Sequence, residues 1–177
     1  MFQLNIPDGM PTLSRGGHTP ESGKACIMEI VAILSNDDWT DHPDTVHPFL
    51  RAMAIKVNDD IPDIYRHRLN PLIGWFFGTN DPGLDEVLLT YLDIKNFDED
   101  EDDTHEIIND AWFKRHPGLF YDHNTPYPED ALVEAYADKL IEWLVGALDV
   151  ADQYLRDHEP RILTKADVET IHRVGVS

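Results

Sequence analysis

Between Val133 and Leu155 two apolar stripes run side by side along one helical stretch, and no other feature of the chain restricts its possible folds so strongly. Val133, Tyr136, Leu140, Trp143, Ala147, Val150 and Tyr154 recur at spacings of three and four residues, with Ala137, Ile141, Leu144, Leu148, Ala151 and Leu155 beside them. One stripe suits a helix lying on a surface. Two adjacent stripes must be covered on more than one side, as in the central helix of a bundle. Pro128 opens the stretch, Glu129 and Asp130 follow in the first turn where the helix dipole favours acids, and Pro160 closes it. At about 1.5 Å per residue the predicted helix is on the order of 40 Å long.

The rest of the chain supplies shorter helices to cover it. Thr19-Pro20-Glu21 predicts a helix start that runs to Leu34, with Cys26, Ile30, Ile33 and Leu34 on its apolar face. Phe49, Leu50, Met53, Ala54 and Val57 predict a second helix, and a short one follows around Ile61 to Leu69. Asp81-Pro82 reads as a cap and first position for a helix through Leu84, Val87, Leu88, Tyr91 and Leu92. Asp103 and Glu106 have capping-box spacing ahead of Ile107, Ile108, Ala111 and Trp112, and Thr164 with Asp167 resembles another such box. No stretch alternates as a strand should. The expected fold is all-α, a compact single-domain bundle of about six or seven helices with a long C-terminal helix. Residues 1–18, broken by Pro7, Gly9, Pro11, Gly16 and Gly17, form an expected irregular arm ahead of one domain over 19–177.

Charge narrows the function. The 34 acids outnumber the 14 lysines and arginines and leave a net charge of −20, with no basic cluster to displace counterions from phosphates. Direct nucleic-acid binding and docking on an anionic membrane are therefore not expected. Encounter with a basic surface on another protein is favoured, including one that normally holds nucleic acid. The single cysteine, Cys26, excludes an internal disulfide and suits a reducing compartment. No apolar run approaches the roughly 20 residues that span a bilayer, and the first residues lack a signal pattern. The expectation is a cytoplasmic protein without a cofactor.

Few side chains carry chemistry in a recognisable pattern. Asp41, His42, Asp44 and His47 mix carboxylate and imidazole, which suits zinc or another divalent ion, and Glu29 is a carboxylate inside an otherwise apolar helix. Asp41, His42, His47 and Glu29 are thus the candidate metal ligands of a hydrolase. The plainer reading has Asp44 or Thr45 capping the next helix, and Glu29 with a raised pKa or paired with Arg51 or Arg66. Cys26 is a candidate nucleophile with His42 or His47 as base, against a buried core thiol. His116, Asp122 and His123 form a loop cluster without specificity. Glu169 and His172 have the spacing of a di-metal bundle motif, but such sites need two of them. The acidic run Asp98, Glu99, Asp100, Glu101, Asp102 and Asp103 is the candidate partner-binding segment, with a solvated loop as the alternative. Trp75, Phe76 and Phe77 read as core at a helix junction or as an exposed docking patch.

Four segments carry a resemblance: TPESGKACIMEIVAIL (Thr19 to Leu34), WTDHPDTVHPFL (Trp39 to Leu50), VNDDIPD (Val57 to Asp63) and RLNPLIGWFFGT (Arg68 to Thr79). In order and spacing they resemble an uncharacterised family of proteins from actinobacteria and their phages. The resemblance covers roughly residues 17–79 and implies no activity. The chain departs from the pattern in two places. Ser35-Asn36-Asp37-Asp38 lacks its glycine, and Thr45 or Val46 stands where it has a second cysteine. A phage origin would fit a small acidic accessory protein that binds and inhibits a host protein.

Overall fold

The computed structural model describes residues 8–95, 104–117 and 130–158, and within them the chain is an all-α domain. Two short strands, β1 (Thr12–Leu13) and β2 (Lys24–Ala25), pair in parallel. The helices are α1 (Ile27–Ser35), α2 (Pro48–Asp60), α3 (Asp63–Arg66), α4 (Leu84–Leu92), α5 (Thr104–Arg115) and α6 (Asp130–His158), with a 3-10 segment at His67–Trp75. The calls at Asp98 to Asp103, at Asp122 and His123, and at Thr164 to His172 lie outside the described residues.

The long helix is the organising element. Tyr136, Ala137, Leu140, Trp143, Leu144, Ala147, Leu148, Ala151 and Leu155 of α6 are all buried in one continuous core. Helices α2 and α4 and the 3-10 segment pack on α6, while α5 and α1 flank α2. Both stripes are thus covered within one chain. Two glycines permit the closest approaches. A Cβ on Gly146 would lie 2.3 Å from the Tyr91 hydroxyl of α4, and one on Gly83 would lie 2.0 Å from the Tyr154 hydroxyl of α6. Tyr91 donates to the Trp143 carbonyl at 2.8 Å, so its ring is held in that notch. No described helix is long and apolar enough to cross a membrane.

The first helix begins later than its cap signal predicts. Thr19-Pro20-Glu21 starts only a 3-10 turn, Pro20–Ser22, which Gly23 ends in the left-handed region at φ 67°. Lys24 and Ala25 then pair with the arm, and α1 starts after Cys26. The signal was local; the apolar periodicity that stabilises a helix against the core begins only at Ile27. At the end of α1 Asn36 takes the left-handed conformation, at φ 61°, and its N–H reaches the Ala32 and Ile33 carbonyls. Asparagine is among the few side chains that visit this region readily.

Residues 8–18 are tied down. Asn58 donates to the Ser14 carbonyl, Gly16 N–H donates to Asp59, and Met10 and Leu13 pack on the core. Arg66, only 4 % exposed, ends α2: its guanidinium donates to the Asn58 and Ile61 carbonyls and pairs with Asp63. Trp75 and Phe77 are half-buried against the core and Phe76 is fully buried, so this run is a packed junction.

Candidate functional site

The residues singled out by their chemistry gather at two places, and neither is a metal centre. Glu29 stands in the first turn of α1 and is buried. Its carboxylate accepts from the Cys26 backbone N–H at 2.7 Å, the His18 N–H at 2.8 Å and the Trp39 indole at 3.2 Å, and contacts the His18 ring. The Cys26 sulfur in turn accepts from Glu29 N–H, which completes a capping box with cysteine in the usual serine position. The expected partners Arg51 and Arg66 are elsewhere, because Arg66 serves the carbonyls at the end of α2. Glu29 is therefore a cap and an anchor for the arm. Burial, above all, pushes the Cys26 thiol up to about 12, against the pull of the Glu29 N–H bond to the sulfur and with some help from the Glu29 charge. A thiol held protonated in this way is not an activated nucleophile.

The second place is the N-terminus of α2. Pro48 occupies the first helical turn, where its missing N–H costs nothing, and His47 is the cap. The His47 Nδ1 accepts from Phe49 N–H at 3.2 Å, and Nε2 lies 3.0 Å from the Asp85 carboxylate in the first turn of α4. This network assigns the neutral tautomer with the proton on Nε2. Burial holds His47 below its ordinary pKa, against the opposing pull of Asp85. Both ring nitrogens are engaged, so His47 has no lone pair for a metal. Around it, Thr45 accepts from Gly78 N–H, Asn80 donates to the Asp44 carbonyl and His47 N–H donates to Thr79. These bonds stitch the loop before α2 to the turn before α4.

Asp41 and His42 pair with each other in an exposed position. The four sequence-derived metal candidates are thus split among a cap at α1, a cap at α2 and a surface pair. Among the described residues no group of three or more His, Cys, Asp or Glu is arranged to hold a metal ion.

What does converge here is negative charge. Asp37 is raised first by its partial burial and then by the Asp44 and Asp38 carboxylates. Arg51 on the first turn of α2 feels Asp41 and Asp44, and His47 feels Asp85 and Asp81. Asp41 and Asp44 thus act on one half-buried arginine, with Asp37 close to Asp38 and Asp44, and with Asp81 and Asp85 acting on His47 at the same helix end. Elsewhere single ion pairs form: Lys56 with Asp60, Arg68 with Asp138, Lys114 with Asp93, Lys139 with Glu142 and Arg156 with Asp152. Of this acidic cluster, sequence reasoning singled out Asp41 and Asp44 as metal-type ligands and Asp81 as a helix cap, but gave Asp85 no role of its own. Asp81 carries an Asp-Pro cap signal, whereas nothing local to Asp85 announces its pairing with a histidine 38 residues away.

A scan against protein-family models, a search of curated proteins and a search of solved structures each return no match.

Proposed function

We propose that this chain is a non-enzymatic binding protein that engages a basic surface of another protein, a host protein or a second copy, through the carboxylates around the N-terminus of α2. The observation that supports it is the group of neighbouring carboxylates there, where Asp37 feels Asp44 and Asp38, Arg51 feels Asp41 and Asp44, and His47 feels Asp85 and Asp81, in a chain with net charge −20. Clustered like charges raise one another's energy, as at Asp37, and a cationic partner would relieve that repulsion. An accessory protein, of phage or bacterial origin, that inhibits its target by occupying a nucleic-acid-binding surface is the sharp form of this reading and fits the family resemblance.

Two rival readings have less support. The catalytic side chains of a metal-dependent hydrolase are committed to caps and to each other, and the apolar stripes of α6 are covered within the chain rather than left for assembly. The test is binding of an oligolysine peptide followed by isothermal calorimetry in rising salt. Affinity should fall as salt screens the exposed charges over a Debye length of about 8–10 Å. The triple variant Asp37→Asn, Asp38→Asn, Asp44→Asn should bind much more weakly. Equal affinity for the variant and the parent would remove this face from the reading.

A further inference from the structure

The same region contains a device that its role in binding does not require. His47 is only 2 % exposed, yet it joins two helices through both ring nitrogens. Nδ1 closes the N-terminus of α2 by accepting from Phe49, and Nε2 reaches Asp85 on α4. A proton added at Nδ1 would face the Phe49 N–H across 3.2 Å, donor against donor. The ring could then keep Asp85 only by giving up the cap.

The charges that face the ring act in both directions. Asp85 on α4 and Asp81 in the turn ahead of it favour the imidazolium, while burial and Arg51 on α2 oppose it. Asp85 is half exposed, so its attraction is screened by water. Burial wins, and the closed form holds the neutral ring. We propose that His47 is a proton-operated latch: neutral, it ties the start of α2 to α4, and protonated, it keeps Asp85 but gives up the cap of α2, which loosens the face on which Asp44, Asp81 and Asp85 stand. The consequence for partner release rests on the reading of that face as a docking surface; the latch itself does not.

The sign follows from linkage. The open ring titrates near 6.5 and the closed ring below it, so the open state binds more protons between those two values. The latch is closed above about pH 6.5 and opens as the pH falls through the window below it, where free carboxylates with pKa near 4 are still ionised.

The test uses the whole protein. Nitrogen-detected imidazole NMR at about pH 7.5 should report His47 as the Nε2–H tautomer, and on acidification the Phe49 amide should lose its protection together with ring protonation. His47→Asn keeps a capping side chain and should fold, but it has nothing to titrate and should lack the step. Asp85→Asn removes the charge that favours the imidazolium and should move the step to lower pH. A protonated His47 with the Phe49 amide still protected, or the same step in His47→Asn, overturns the latch. Oligolysine affinity measured in the same window should drop more in the parent than in His47→Asn. Equal drops would break the link between latch and release. No binding at neutral pH in either protein would instead count against the docking face.

Discussion

Replacing Gly146 by alanine sets two physical effects of opposite sign against each other. An interior helical glycine costs about 1 kcal/mol relative to alanine, so propensity alone predicts that Gly146→Ala stabilises the protein. The packing predicts otherwise. The new Cβ would sit 2.3 Å from the Tyr91 hydroxyl, 2.9 Å from Cζ and 3.1 Å from Cε2. The ring must leave its notch, which breaks its 2.8 Å bond to the Trp143 carbonyl and disturbs Arg115 stacked 4.8 Å from the ring centre. Loss of the hydrogen bond costs about 0.5–1.5 kcal/mol and overpacking about 1–3 kcal/mol. After the propensity gain is subtracted, the variant should be less stable by about 0.5–3.5 kcal/mol. Urea unfolding measures this, and a cycle with Tyr91→Phe tests its origin. Without the hydroxyl the closest contact is gone, so Gly146→Ala should cost at least about 1 kcal/mol less in that background. A stabilised Gly146→Ala, or additive single variants, would refute the claimed contact between α4 and α6.

The remaining expectations are quicker to check. Glu29→Gln keeps the shape of the cap but weakens charge-assisted bonds to three N–H groups; denaturant unfolding should show a loss of about 1–3 kcal/mol, and trypsin should cut sooner at Arg15 as the strap loosens. Cys26, buried and pushed up to about 12, should react with Ellman's reagent only as fast as the protein opens, so fast labelling of the folded chain would contradict its burial. Leu144→Ala should destabilise by about 2–5 kcal/mol because α6 is covered on several sides; a cost under about 1 kcal/mol would mean a surface site. Global stability should be fully developed above about pH 6.5 and fall as acid protonates His47, with that part of the slope absent in His47→Asn.

The helices that can be read from the chain are those whose cause lies in neighbouring residues. The double stripe of α6, the Phe49-to-Val57 face of α2 and the Leu84-to-Leu92 face of α4 are periodic patterns, and burying them against each other leaves little choice but a helical bundle. The charge surplus was equally legible, as was the absence of a basic cluster. Tertiary packing decided what pattern alone could not. The cap signal was at Thr19 and none was read at Cys26, but only Cys26 precedes a face with a core to cover it. Glu29 stood as a candidate metal ligand or the partner of an arginine until the fold brought His18 and Trp39 to it. His47 and Asp85 meet because α2 and α4 pack on the same long helix, and their pairing turns two unremarkable side chains into one proton-sensitive joint. Periodicity is written in consecutive residues, whereas the partner of a buried polar group is set by which elements the core draws together.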